Sequence, residues 1–417
     1  FMSTSGEAQV RVRFVTKHDR FRVTEAPFAV PARLTRFGLS EVVNHLLGNE
    51  RPVPFDFLVN NEFVRSSLAT FCQKRDISLE SELEVEYVPI LPQPEPSESQ
   101  ELPDWVASLS SSNGLVASAA YDGAVRLHAG EGQVLATASG HRGAAKCVSL
   151  HMRDGRGVAV SGSKDHGVRV WQVEAATEAG EASLRPLAEG VGHAGSVECA
   201  TVCDTHPVAL TGGWDGAIHL WRLPGRGGDG EEDGESEDEG AEAGGPRAKR
   251  RRGAGDGQSA PLRRLRPALS LREHKQCVTS LAWRLQGEQL YSAGADCGLK
   301  LWDVRTGDVI RTMESGKRFN AVAYSPAARL VAAAHPDNCV RLWDDRTKEA
   351  SVVRQALSSH RTWVAAVAWA PSSPYGLVSC DHEGSVKQWD VRARVPLASH
   401  EAHAGKALTC CYAEASV

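Results

Sequence analysis

A mainly β chain, with a small β-grasp domain ahead of a seven-bladed β-propeller, is the fold class that the sequence predicts, and three observations predict it. The stretch DGAIHLW, Asp215 to Trp221, returns as DHGVRVW at Asp165, DCGLKLW at Asp296 and DNCVRLW at Asp337, and more loosely as DGAVRLH at Asp122 and EGSVKQW at Glu383. A histidine precedes most copies at a nearly constant distance (His141, His193, His274, His360), and a small hydroxyl residue stands four positions before the acidic one (Ser118, Ser161, Thr211, Ser292, Ser379). Residues 9–88 lack this repeat and carry one amphipathic helix among alternating strands.

In each copy, apolar residues alternating at period two make a strand with one buried face, and the acidic turn before it makes a hairpin. A period of about forty residues with Gly-His and Trp-Asp ends reads as propeller blades. The repeated polar residues form one expected network: the acid orients the histidine, the histidine meets the hydroxyl, and the hydroxyl reaches the indole N–H, so no buried polar group lacks a partner. Its members are His193, Thr211, Asp215 and Trp221 in the third blade and His274, Ser292, Asp296 and Trp302 in the fourth. A catalytic triad is unique in a chain, whereas this set recurs, which marks it as architecture. With six copies in register, the chain from Asp104 onward resembles the WD-repeat family.

Inner strands are expected to begin near Trp105, Ala145, Val197, Val278, Phe319, Val364 and Leu408. Few residues follow His403, so the last blade is expected to be incomplete, with strand edges exposed on the first and sixth blades. In the fifth blade Lys317 stands near the histidine position and Ala333 replaces the hydroxyl, so both partners vanish together at little cost. The first blade has His128 in place of Trp, with no account beyond tolerance of a polar-tipped ring.

In the front domain, Val10, Val12 and Phe14 alternate as a strand, and Phe21 to Val30 read as a second. GLSEVVNHLLG places Leu39, Val42, Val43, Leu46 and Leu47 at helical spacing, with Ser40 to cap the start and Gly48 the end. Asn60-Asn61 between Phe55–Val59 and Phe63–Val64 reads as a hairpin, residues 67–74 as a short helix and Leu83–Val88 as a last strand. The run GLSEVVNHLLGNERPVPFDFLVNNEFVRSSL, above all FGLSEVVNHLL and PVPFDFL, resembles the ubiquitin-like domain that opens the Notchless family and the WD repeat-containing protein 12 family of ribosome-assembly factors. The domain runs on into Pro89 without a free Gly-Gly, so it reads as a docking module.

Residues 89–103, rich in proline and acid, read as a semi-extended linker that tethers the front domain to the propeller of residues 104–417. Residues 224–267 read as a disordered insertion with an acidic half and a basic half, lacking the apolar residues that order a segment. Its cluster Lys249, Arg250, Arg251 and Arg252 looks like a nuclear-import signal, with non-specific RNA contact in second place.

No HExxH, paired CxxC, GxxxxGK[ST] or GxSxG occurs, so neither enzyme chemistry nor a cofactor has a carrier. A net charge of −5 argues against a wholesale nucleic-acid binder, no apolar run reaches a membrane span, and the ten unpaired-looking cysteines read as reduced thiols. Trp302-Asp303-Val304-Arg305, Trp343-Asp344-Asp345-Arg346 and Trp389-Asp390-Val391-Arg392 resemble the WDxR motif of cullin-RING ligase substrate receptors, which is the rival reading.

The family resemblance implies a non-enzymatic factor of the nucleus, nucleolus and nucleoplasm. It would be held in a complex with pescadillo and the block-of-proliferation WD-repeat protein, for rRNA processing and maturation of the 60S pre-ribosome. It further implies release by the AAA ATPase midasin, whose metal site takes an acidic side chain of the ubiquitin-like domain. By its place between QKRDIS and LEVEY, Glu80 matches that position. Local sequence alone does not separate it from Glu82 or Glu84.

Overall fold

The computed structural model describes residues 8–16, 19–24, 26–48, 51–90, 99–130, 132–176, 181–224, 262–346, 353–371 and 373–413. The front domain is a five-stranded sheet of β1 (Gln9–Val15), β2 (Phe28–Pro31), β3 (Phe55–Val59), β4 (Glu62–Phe63) and β5 (Leu83–Pro89), ordered β2-β1-β5-β3-β4, with β1 and β5 parallel. Helix α1 (Arg36–Leu47) crosses this sheet and buries Leu39 and Val43 against Phe14, Phe55, Phe57 and Tyr87.

The cap of α1 differs from the sequence reading. Thr35 is the N-cap, and Ser40, one turn inside, instead accepts the amide N–H of Phe55 at 3.1 Å, tying helix to sheet. Gly48 closes the helix at φ 64°, the left-handed geometry that glycine adopts without a Cβ penalty. The second strand is shorter than expected: only Phe28–Pro31 pair with β1, and Asp19–Phe21 form a 3-10 turn. Asn60 and Asn61, at φ 52° and 63°, make the tight β3–β4 turn. Helix α2 (Leu68–Lys74) is capped by Ser67, which accepts the Thr70 amide N–H. Strand β5 extends to Pro89, one residue into the stretch read as linker.

The repeats form six sheets in chain order. Blade I consists of Val106–Ser112, Leu115–Ala120, Ala124–His128 and Val134–Ser139, and blade II of Ala145–Arg153, Arg156–Ser163, Val168–Glu174 and Ser183–Gly190. Blade III consists of Val197–Val202, Val208–Gly213, Ile218–Arg222 and Leu269–Leu271, and blade IV of Val278–Leu285, Gln289–Gly294, Gly298–Asp303 and Val309–Glu314. Blade V consists of Ala321–Ser325, Leu330–Ala334, Cys339–Asp344 and Val353–Ser358, and blade VI of Val364–Trp369, Gly376–Asp381, Ser385–Asp390 and Ala398–Glu401. The second strand of a blade is buried almost throughout, as in Val208–Gly213, Gln289–Gly294 and Leu330–Ala334, and Trp171, Trp221, Trp302 and Trp389 are among the largest side chains fully buried. All ten cysteines are free thiols.

Two expectations change here. Arg263–Leu265, inside the stretch read as disordered, pair in parallel with Ala188–Gly190 of blade II, so its C-terminal end is a fifth strand on that sheet. The rest of the insertion, residues 225–261, lies outside the described residues. Residues 407–413 carry no strand assignment, yet they occupy the inner position of a seventh sector. The Ala407 amide N–H donates to the Asp381 carbonyl of blade VI at 3.1 Å, and the Ser111 hydroxyl of blade I donates to the Tyr412 carbonyl. The chain end thereby bridges the two blades whose edges were expected to stand open.

Candidate functional site

The blade network is built around the hydroxyl. In blade III the Trp221 indole N–H donates to Thr211 Oγ1 at 2.8 Å, and Thr211 stands 2.8 Å from His193 Nε2. His193 Nδ1 faces Asp215 at 3.0 Å. With the carboxylate accepting at Nδ1, the imidazole proton sits there and Nε2 accepts from the threonine O–H. In blade IV, Trp302 donates to Ser292 at 2.7 Å, Ser292 meets His274 Nε2 at 2.7 Å, and His274 Nδ1 meets Asp296 at 2.9 Å.

The acid also joins two loops. Asp215 accepts the amide N–H of Ala194, after the histidine, at 2.9 Å and that of Ala217, in its own turn, at 3.1 Å. Burial alone would raise the Asp215 carboxyl, but the His193 ring and these two amides outweigh it and hold it well below the carboxylate range. The turn then packs on the next blade: Gly216 is at φ 70°, and a Cβ there would lie 2.7 Å from the His274 carbonyl oxygen.

The departures have physical causes. In blade VI the acid paired with His360 is Asp381, at 2.6 Å, and not Glu383, which donates its own amide N–H to Asp381. In blade I, His128 Nε2 meets Ser118 at 2.7 Å while Nδ1 donates to the Gly132 carbonyl at 3.2 Å, so the ring keeps the hydroxyl occupied from the Trp position. Asp122, without a histidine, is paired to Arg126. Blade V makes the same exchange, Asp337 with Arg341 at 2.7 Å, and His335 lies against Phe319, ring centroids 4.7 Å apart and planes tilted by 45°. Its loss is not free, however: the buried Trp343 indole N–H has no acceptor among the described residues.

Sequence reasoning also missed His219. It lies against His193, with ring centroids 4.3 Å apart, and Ser270 meets its Nδ1 at 2.9 Å. Burial, then the adjacent His193, pulls its pKa down to about 4. His193, Asp215 and His219 bring metal-capable atoms within 4.8 Å of one another, but the first two are already bonded to each other. The signal was the position four after the acid, filled in other copies by Arg126, Arg169, Lys300 and Arg341.

In the front domain, Glu80 is exposed at a turn before β5, its amide N–H held by Ser78 Oγ at 3.2 Å. Glu82 and Glu84 are both paired to Arg13, at 3.3 and 2.6 Å, whereas no cation among the described residues pairs with Glu80. Structure therefore separates three carboxylates that local sequence did not. Lys249, Arg250, Arg251 and Arg252 lie outside the described residues. The WDxR arginines are paired close by: Arg305 with Glu288, Arg346 with Asp344 and Arg392 with Asp390, each at 2.7 Å. That use is structural and lends the ligase-receptor reading no support.

The inner strands and residues 408–410 line a cavity of about 960 Å³. At its mouth, on the side of the histidine loops, stand Tyr121, Trp214, Arg318 and Trp363.

The NLE (NUC135) domain matches residues 10–72, and the WD domain, G-beta repeat, matches residues 132–172, 184–222, 265–303, 307–344 and 351–390. The ribosome biogenesis protein WDR12 homolog of Chlamydomonas reinhardtii is 35% identical over 420 residues, spanning 96% of this chain and 91% of that protein. Its counterpart in Oryza sativa subsp. japonica is 33% identical over 417 residues, and that of Nematostella vectensis 31% over 407, each spanning 96% of this chain and 91% and 94% of the respective relative.

Proposed function

Because the chain belongs to the WDR12-homologue family of ribosome biogenesis proteins, we propose that it is a non-enzymatic assembly factor of the large ribosomal subunit, acting in the nucleolus and nucleoplasm. It serves there as a scaffold with pescadillo and the block-of-proliferation protein, and midasin removes it from the pre-60S particle. The observation that carries this reading is similarity across both parts of the chain, 96% of its length, since a shared propeller alone would speak only for a fold.

Two features support the division of labour. The propeller offers a broad rim of loops anchored on hydrogen-bonded turns, a rigid surface suited to a lasting partner. The front domain offers an exposed carboxylate at Glu80 that no cation among the described residues neutralises. Hard divalent cations take carboxylate oxygen, and a metal site with an open position can be completed by one such group from another protein. Purification of the tagged protein from nuclei tests the reading. Pre-ribosomal RNA with the two partners is the expected result, and a cullin adaptor without pre-ribosomal RNA would overturn it.

A further inference from the structure

The mouth of the propeller cavity carries aromatic rings and cations that the blade network does not use. Trp214 and Trp363 are 66% and 48% exposed, and Trp105, which lines an adjoining pocket with Leu408 and Thr409, is 63% exposed, an unusual use of the residue with the most apolar surface to bury. Tyr121 stands beside Trp105, ring centroids 6.1 Å apart. The Trp214 ring is held in place by its indole N–H, which donates to Glu198 at 2.9 Å, and Lys146 at 3.6 Å balances that carboxylate. Lys146 lies 4.7 Å over the Tyr121 ring and Arg318 lies 5.2 Å over the Trp363 ring.

The charge around this mouth runs against the composition. The chain carries a net charge of −5, yet exposed Arg142, Lys275 and Arg361 directly follow the network histidines of blades II, IV and VI. Exposed Lys317 and Lys406 stand in the corresponding loops leading into blade V and into the last sector, with Glu273 and Glu383 among the opposing acids. Cations are thus distributed around the rim, about one per loop, with indoles between them.

We propose that this mouth binds single-stranded RNA, its bases stacking on the exposed indoles and its phosphates following the rim of cations. A basic track interleaved with aromatic platforms is the physical requirement for holding an unpaired strand, and it tolerates any sequence because every base has a π-face. An acidic protein segment would satisfy the cations, but its anchoring side chains need desolvated pockets, and these indoles stand out into solvent as flat faces. Arg318 over Trp363 adds a guanidinium plane to the platform. None of its residues belongs to the charged stretch 224–267 that the sequence offers for non-specific RNA contact.

The test is fluorescence anisotropy of a short labelled single-stranded RNA of mixed sequence, titrated with the full chain over a range of salt. Trp363→Ala and Trp214→Ala should each weaken binding about tenfold, while Trp363→Phe, which keeps a ring, should retain most of it. Arg318→Ala should weaken binding and flatten the log–log salt slope by about 0.7, the share of one phosphate contact on a single strand. Thermal melting of each variant separates loss of the site from loss of the fold. The proposal is overturned if the folded Trp variants bind as the parent does, if only Ala substitution of residues 249–252 abolishes binding, or if poly-glutamate displaces the RNA at equal charge. That last outcome would assign the mouth to an acidic protein partner.

Discussion

Thr211→Val is the sharpest probe of what holds a blade together. Valine keeps the volume and the β-branch but removes the hydroxyl, which accepts from Trp221 Nε1 and serves His193 Nε2, both at 2.8 Å. Trp221 and the Thr211 position are 0% exposed, so water cannot replace either bond. Leaving a buried donor and a buried acceptor unpaired costs about 1–3 kcal/mol apiece, about 2–6 kcal/mol together. The assay is urea unfolding followed by tryptophan fluorescence, comparing midpoints at constant slope. In a double-substitution cycle with His193→Leu, the second change should cost less than it does alone, by about 1–3 kcal/mol, because the imidazole nitrogen is then already gone. A Thr211→Val loss below about 0.5 kcal/mol, the range of an ordinary surface change, would refute the claim that the hydroxyl is the hub.

Further outcomes follow from other groups. Glu80→Ala should leave melting unchanged and abolish binding to midasin's metal-site module, and Glu80→Asp should do the same because its shorter arm misplaces the carboxylate; Glu82→Ala should retain binding, and normal release of the Glu80→Ala protein from pre-ribosomes would sink the assignment. His219 and His335, held near pKa values of about 4 in the fold against about 6.5 when unfolded, make the unfolded chain the stronger proton binder between those values. Their contribution is therefore present above about pH 6.5 and lost as pH falls toward about 4, by up to about 3 kcal/mol each. Substituting both with Gln should flatten the decline, and an unfolding midpoint constant across that window would contradict the account. Replacing Lys249 to Arg252 with Ala should move the protein to the cytoplasm, and unchanged nuclear accumulation of the variant free of its partners would remove the import role. A variant lacking residues 1–103 should still bind the block-of-proliferation protein, and loss of that binding by a folded variant would move the interface to the front domain.

What the sequence by itself determined is whatever depends on neighbours along the chain. The period-two alternation, the acid turn and the hydroxyl ten positions before Trp171, Trp221, Trp302 and Trp389 are local, so blade III and blade IV, with His193, Thr211, Asp215 and Trp221 and their counterparts, were legible as strands with a shared polar set. Counting, however, slipped in blade VI: Glu383 keeps the spacing to Trp389, but the carboxylate that reaches His360 is that of Asp381, two positions earlier. Arg263–Leu265 read as part of a charged loop because their pairing partner, Ala188–Gly190, is far away in the chain. The same holds for Glu80 against Glu82 and Glu84, since Arg13, which pairs with the latter two, enters from another strand. The aromatic and cationic mouth escaped entirely, because its members are single residues at the ends of different blades. Only packing successive blades side by side puts Trp214 and Trp363 on one rim, and no periodicity records a neighbourhood created by that packing.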